Sequence, residues 1–183
     1  CHPSISIVAP VYCEGDHLPQ FVGSLVAELN QLKSTHGLNY EIVLVDDGSS
    51  DNTWAVMHTL TAQYHCLRCL RLSRNFGKDA ALSAGLAAAR GDAVITMDSD
   101  MQHPASLIPE MVALWRTGTV DVVDVCKQER QIESLLSKIC ALSFYRIFKA
   151  LTSYDLRGSG DFKLLDRKVV DAWKSLGERK LFY

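Results

Sequence analysis

At 183 residues the chain has the length of one ordinary domain and can bury a sizeable core. A composition of 48% hydrophobic and 22% charged residues excludes a disordered chain, and 19 basic against 21 acidic side chains leave no positive excess of the kind a nucleic-acid partner requires. No apolar run approaches the roughly 20 residues needed to cross a bilayer, and the opening Cys1-His2-Pro3-Ser4 has neither a signal-peptide pattern nor an initiator Met.

Apolar, β-rich runs alternate with helical patterns, which predicts an α/β fold whose mostly parallel sheet carries helices on both faces. Residues 5–9 form the first strand, ended by Pro10. A helix follows over 18–32 with Phe21, Leu25, Val26 and Leu29 on one stripe, and Gly37 marks its end. The second strand, 41–45, runs into Asp46-Asp47-Gly48-Ser49-Ser50-Asp51. Then come a helix near 53–64, a strand at 67–72, an Ala-rich helix over 78–89 and a strand at 93–97. A helix over 104–115 has Pro104 near its first turn, and 120–125 is a fifth strand. Residues 132–151 read as a very apolar helix, Gly158-Ser159-Gly160 as a turn, 162–165 as a short strand and 167–175 as a final helix. No repeat or linker interrupts the pattern, so 1–183 is expected to be a single domain.

Two motif readings are set aside on residue grounds. No G-x-G-x-x-G follows the first strand, which counts against a Rossmann dehydrogenase. Cys66 and Cys69 have C-x-x-C spacing, yet no second pair follows and they enter a strand instead of opening a helix. Together with the scattered Cys1, Cys13, Cys126 and Cys140, they are read as small hydrophobes of a reducing compartment.

Chemistry is expected where strands end. Asp98, Ser99 and Asp100 follow the fourth strand directly, releasing two carboxylates at the carboxyl edge of the sheet, where open α/β sheets bind ligands. Paired hard oxygen ligands suit Mg²⁺ or Mn²⁺, which bridges to nucleotide phosphates. Tyr12 and Glu14 follow the first strand and Asp46 and Asp47 the second. Each cluster alone is also a common turn or cap sequence, but three at successive strand ends are hard to attribute to turns.

Ile7-Val8-Ala9-Pro10-Val11-Tyr12, Val45-Asp46-Asp47-Gly48-Ser49-Ser50-Asp51 and Met97-Asp98-Ser99-Asp100-Met101-Gln102-His103-Pro104 resemble family-2 glycosyltransferases of the GT-A, Rossmann-like fold. Leu72-Ser73-Arg74-Asn75-Phe76-Gly77-Lys78 and Gly160-Asp161-Phe162-Lys163-Leu164-Leu165-Asp166-Arg167 are similar to the branch that moves a sugar onto a polyprenyl phosphate, including dolichyl-phosphate mannose synthases and bactoprenyl glucosyltransferases. The resemblance runs over nearly the whole chain. It implies that Pro10, Tyr12, Glu14 and Asp47 line the base and ribose pocket, with Val45, Lys78, Asp98 and Ser99 completing the nucleotide site. It further implies that Asp98, Asp100 and Gln102 hold the divalent ion, that Asp100 is part of the catalytic machinery, and that Asp161 positions or deprotonates the acceptor. Ser99 stands where the family usually has Ala.

Arg74 is either a phosphate or acceptor contact or a loop cation, and Lys127 and Arg130 after the fifth strand divide the same way. His103 reads as a helix-entry residue, and His17, His36, His58 and His65 as packing or surface residues. The 132–151 helix is a core helix or a membrane-facing amphipathic one; the lipid acceptor supplies the motive for the second reading.

The resemblance implies a metal-dependent, inverting transfer of a hexose, glucose from UDP-glucose foremost, onto a polyprenyl phosphate at the cytoplasmic face of a membrane. Relatives in this branch continue into membrane-spanning helices after the region matching Leu181-Phe182-Tyr183, and no such segment is present in this chain. Expected partners are the nucleotide-sugar donor, the lipid acceptor and the membrane surface, with a homo-oligomer left open and no nucleic acid. The alternatives are a GDP-mannose-dependent mannosyltransferase, a transferase acting on a soluble glycan, and a non-catalytic nucleotide-sugar-binding module. A nucleotidyltransferase would need a Gly-rich basic loop after the first strand, which is missing.

Overall fold

The computed structural model describes residues 4–101, 104–125 and 162–175. The expected 132–151 helix and the Gly158-Ser159-Gly160 turn lie outside the described residues. Five strands run in chain order as β1 (Ile5–Val11), β2 (Tyr40–Asp46), β3 (Leu67–Arg71), β4 (Ala93–Thr96) and β5 (Val122–Asp124), and β6 (Lys163–Asp166) follows. The helices are α1 (Leu18–His36), α2 (Thr53–Gln63), α3 (Lys78–Ala88), α4 (Ile108–Arg116) and α5 (Arg167–Ser175). The six strands form one sheet in the order β3-β2-β1-β4-β6-β5. β1 is parallel to both β2 and β4, and β2 to β3; β6 is antiparallel to β4 and β5.

The period-2 alternation of the strands divides the core into two layers. Ile5, Ile7, Ala9, Ile42 and Leu44 face α1, α2 and α4, whereas Val8, Val43, Val45 and Val94 face α3 and α5. The second layer is thin because α3 lies almost on the strands. A Cβ on Gly85 would stand 2.3 Å from Val8 Cγ1 and 3.1 Å from Val45 Cγ2, so only glycine lets the helix approach this closely.

One boundary differs from expectation. Residues 105–107 form a 3₁₀ turn, Ala105–Leu107, and α4 starts only at Ile108. Pro109, not Pro104, sits in the first turn of α4, where its missing N–H has no helical partner to lose. Pro104 has ψ of 117°, an extended conformation outside any helix.

The amino edge of the sheet carries a polar network. Ser6 Oγ donates to Glu41 Oε1 at 2.6 Å, Arg68 pairs with Glu41 Oε2 at 2.9 Å, and the Arg90 N–H donates to Glu41 Oε1 at 2.7 Å. Gly91 N–H reaches Ser6 Oγ at 2.7 Å. Burial by itself raises the Glu41 pKa, but the Ser6, Arg68 and Arg90 donors outweigh it and lower the value below that of an ordinary glutamate. A carboxyl whose folded pKa is depressed stabilises the fold above its unfolded pKa and loses that contribution as pH falls through the folded value. Glu41→Gln is therefore expected to cost about 2 kcal/mol at neutral pH. Urea titrations should show the gap between variant and wild type closing as pH falls through the lowered folded pKa of Glu41.

Cys66 and Cys69 behave as hydrophobes. Burial raises both thiols, Cys69 to about 11, which disfavours the thiolate that redox or zinc chemistry requires. Cys69 packs with its sulfur 3.8 Å from the Met57 carbonyl.

Candidate active site

The cleft is assembled by strand ends that backbone bonds draw together. Asp47 N–H donates to the Val11 carbonyl at 2.9 Å, Leu72 N–H to the Asp46 carbonyl at 2.8 Å, and Met97 N–H to the Val8 carbonyl at 3.1 Å. β1 and β4 are neighbours although two strands separate them in sequence, so the chain reverses its direction of travel across the sheet there. Such a switch point leaves a crevice beyond the carboxyl ends of the strands. The crevice has a volume of about 330 Å³. Pro10, Val11, Tyr12 and Glu14 line it from β1, and Asp47 from β2. Asn75, Gly77 and Lys78 enter from the start of α3, and Asp98, Ser99 and Asp100 from β4.

The Asp-Asp-Gly-Ser-Ser-Asp stretch is largely scaffold. Asp46 Oδ1 accepts the Ser49 N–H at 2.9 Å, the turn geometry such a sequence favours, and Oδ2 pairs with Arg71 Nε at 3.1 Å. The Arg71 guanidinium lies over the Trp54 ring, 5.5 Å from its centroid. Ser49 and Thr53 fix the first loop: Cys13 N–H donates to Ser49 Oγ at 2.9 Å and Glu14 N–H to Thr53 Oγ1 at 3.0 Å. Asp47 lines the cleft as expected, but its buried carboxylate also clamps the next loop. Oδ1 accepts the Phe76 N–H at 2.8 Å and Oδ2 the Gly77 N–H at 2.9 Å.

Ser99 joins the two central strand ends. Its hydroxyl lies 2.9 Å from the Pro10 carbonyl and in hydrogen-bond contact with Glu14 Oε2. Burial pushes the Glu14 carboxyl above the ordinary glutamate value; the Ser99 bond opposes this, and the nearby Asp100 and Asp98 charges add to it. Ser99 thus adds a polar tie between β1 and β4.

Lys78 Nζ lies 2.6 Å from Asp98 Oδ1. Lys78 is the first residue of α3, and with Gly77 it brings the positive end of that helix to the cleft.

Not every expected residue reaches the cleft. Val45 is fully buried between the sheet and α3, held there by the close approach at Gly85, so its side chain does not line the site. Arg74 does not line it either; its guanidinium stacks over Phe76, 4.7 Å from the ring centroid. Gln102, His103, Lys127, Arg130 and Asp161 lie outside the described residues. Val11 and Gly77 were not singled out from the sequence, although a glycine directly before a helix was a usable signal. Among the described residues, Tyr12, Phe76 and Met101 are large apolar side chains that remain exposed, and each lies on a loop that lines the cleft.

The donor set fits a hard divalent cation that shares its ligands with substrate. Among the described residues no group of three or more His, Cys, Asp or Glu side chains could hold a metal, which argues against a closed structural zinc site. Asp98 and Asp100 supply two carboxylates on one cleft wall. Mg²⁺ and Mn²⁺ are commonly bound in this way, through one or two carboxylates with water and substrate phosphates completing the shell.

Comparison with known proteins agrees with this geometry. The model of glycosyl transferase family 2 matches residues 6–173. An uncharacterized glycosyltransferase of Synechocystis sp. is 41% identical over 179 residues, covering 97% of this chain and 55% of that protein. The bactoprenol glucosyl transferase of Shigella phage SfV is 37% identical over 179 residues, covering 97% of this chain and 57% of its own length. The chain therefore spans a little over half the length of these curated relatives. Among solved structures, the mannosyltransferase PcManGT from Pyrobaculum calidifontis in complex with GDP-Man and Mn²⁺ aligns with a TM-score of 0.65 at 17% identity. That alignment covers 94% of this chain and 47% of the other, and it shows a shared GT-A fold. With a family match that runs from β1 into α5, this chain belongs to glycosyl transferase family 2.

Proposed function

We propose that the chain is the catalytic domain of a metal-dependent, inverting polyprenyl-phosphate glucosyltransferase using UDP-glucose. The observation that carries this reading is the meeting of Tyr12, Glu14, Asp47, Lys78, Asp98 and Asp100, from four separate loops, around one cleft at the switch point of the sheet. Similarity to a bactoprenol glucosyl transferase favours glucose and a lipid acceptor. The exposed Tyr12, Phe76 and Met101 beside the cleft suit an apolar partner and the surface of a membrane.

In this reading Tyr12 and Pro10 bracket the base and ribose, and Asp98 and Asp100 hold Mg²⁺ or Mn²⁺. The bound ion supplies Lewis-acid stabilisation of the charge that develops on the departing nucleoside diphosphate. Lys78 and the start of α3 add positive potential for the same diphosphate. The acceptor phosphate oxygen attacks the anomeric carbon as the bond to the diphosphate breaks on the opposite face, so configuration inverts. A phosphate monoester has a second pKa of about 6 and is mostly dianionic near neutrality, so alignment matters more than proton removal. Asp161, and with it Arg74, Lys127 and Arg130, remains assigned to the acceptor side as part of the proposal.

Calorimetry with UDP, GDP, UDP-glucose and GDP-mannose, in Mn²⁺ and then EDTA, tests the donor half. Metal-dependent binding of UDP and UDP-glucose is expected, followed by transfer of labelled glucose to a polyprenyl phosphate in detergent. A GDP preference would move the assignment to a mannosyltransferase, and a folded protein that binds none of the four would overturn it.

A further inference from the structure

Ser99 stands between Asp98 and Asp100, yet it is almost completely withdrawn from solvent, at 2% exposure. Its hydroxyl reaches back to the loop after β1, 2.9 Å from the Pro10 carbonyl and in hydrogen-bond contact with Glu14 Oε2. The backbone of Glu14 is fixed separately. Its N–H donates to Thr53 Oγ1 at 3.0 Å, and its carbonyl accepts the His17 and Leu18 N–H groups at 3.1 Å. A fixed backbone still leaves a glutamate its side-chain torsions, so the contact with Ser99 is what holds the carboxylate end. Glu14, Asp98 and Asp100 line the same cleft, and their like charges repel. A neutral hydroxyl at Oε2 works against that repulsion.

The contact engages one of the two oxygens of Glu14. An ionised carboxylate has about four acceptor positions, so bonding to Ser99 and to a ligand are compatible. Because a carboxylate only accepts, its ligand must present O–H or N–H donors at this point. The vicinal hydroxyls of a ribose are such donors. In the donor-site reading above, Tyr12 takes the nucleoside, and Asp98 and Asp100 take the ion on the diphosphate. Glu14 is two residues beyond Tyr12 and touches the residue between the two aspartates. It therefore falls where the ribose joins the two halves of the nucleotide.

We infer that Ser99 is a positioning residue for nucleotide selection: it holds the Glu14 carboxylate ready to accept the ribose hydroxyls of the donor. This rests on the donor-site assignment above. A carboxylate already held in place loses less freedom when the nucleotide arrives. The hydroxyl at Ser99 thus acts on ribose recognition through Glu14, without touching the sugar itself.

The test is calorimetry in Mn²⁺ with UDP and GDP, each against its 2′,3′-dideoxy analogue, on wild type, Ser99→Ala, Glu14→Ala and the double variant. Both nucleotides carry the same ribose, so a preference for either base leaves the comparison intact. Wild type is expected to favour the ribonucleotide by about tenfold to a hundredfold, the range of a hydrogen bond to a charged group. Ser99→Ala should cut that ratio several-fold by weakening the ribonucleotide, while the dideoxy analogue binds as before. In the Glu14→Ala protein the ratio should fall toward one, and adding Ser99→Ala should change it no further. A serine that only joins the strands would lower the urea midpoint or weaken both nucleotides alike, leaving the ratio where it was. An unchanged ratio in a folded Ser99→Ala protein overturns the inference, as does a further fall in the double variant. A Glu14→Ala protein that keeps the wild-type ratio overturns it with no change at Ser99 at all. If neither UDP nor GDP binds wild type, the donor-site assignment falls and the inference with it; binding with an unaltered ratio removes only the role of Ser99.

Discussion

If the proposed metal-dependent transfer is right, Asp98→Asn and Asp100→Asn are each expected to lower sugar transfer by about a thousandfold or more, while far-UV circular dichroism and the urea midpoint are expected to stay close to wild type. Asparagine preserves the shape of either side chain and removes its charge, so in the proposed mechanism the loss would fall on cation binding and on stabilisation of the leaving diphosphate. Deleting one preorganised electrostatic contact to a developing anion typically costs about 10²–10³ in rate, and here the contact would carry an entire ion. Neither side chain is part of the apolar core: both line the cleft. The two variants should differ in one respect. Asp98→Asn also releases Lys78 from its 2.6 Å ion pair, whereas Asp100→Asn leaves that pair in place. Initial rates over a Mn²⁺ titration check the expectation, and full activity in both variants would rule out the metal-dependent mechanism.

Gly48→Ala is expected to be the most damaging small substitution near the cleft. Gly48 has φ of +68°, and a Cβ there would stand 2.4 Å from the Arg74 carbonyl carbon and 2.7 Å from both Arg74 Cα and Asn75 N. The left-handed conformation alone costs an L-residue about 1–2 kcal/mol. The neighbours are backbone, so they cannot relax by turning a side chain, and a total near 3 kcal/mol is expected. The displaced segment is the one Asp47 clamps at Phe76 and Gly77, so the damage should reach Asn75, Gly77 and Lys78 on the cleft wall. Urea unfolding should report the lost stability. Calorimetry at a temperature where the variant is still folded should report weaker nucleotide binding as well.

Most of the framework was legible in the sequence because local patterns encode it. Alternation of Ile7, Ala9, Ile42 and Leu44 against Val8, Val43 and Val45 specifies a sheet covered on both faces, and the acidic clusters mark where its strands end. What local pattern cannot express is the partner of a side chain. Asp47 reads as a ligand contact, and nothing near it in sequence shows that it holds amides 29 and 30 residues away. Val45 sits one residue from the acidic pair, yet the pleat turns it under α3 and the gap at Gly85 admits it there. The Lys78–Asp98 pair depends on α3 beginning and β4 ending at one corner, which only the crossovers determine. Pro109 displaced Pro104 as the helix-starting proline because two prolines five residues apart offer the same local signal, and packing of Ile108, Met111 and Val112 selects between them.

The buried polar ties among Ser6, Glu41, Arg68 and Arg90 occupy the edge of the sheet opposite the cleft. The same strands thus answer to two masters, resisting unfolding at one end and shaping the cleft at the other. Loops around Tyr12 or Phe76 can be rewritten in search of a new sugar or carrier while the opposite end goes on holding the strands in register, and changes that toughen that end leave turnover untouched. A laboratory lineage selected first for heat resistance and later for altered donor choice should accumulate its substitutions at opposite poles of the domain.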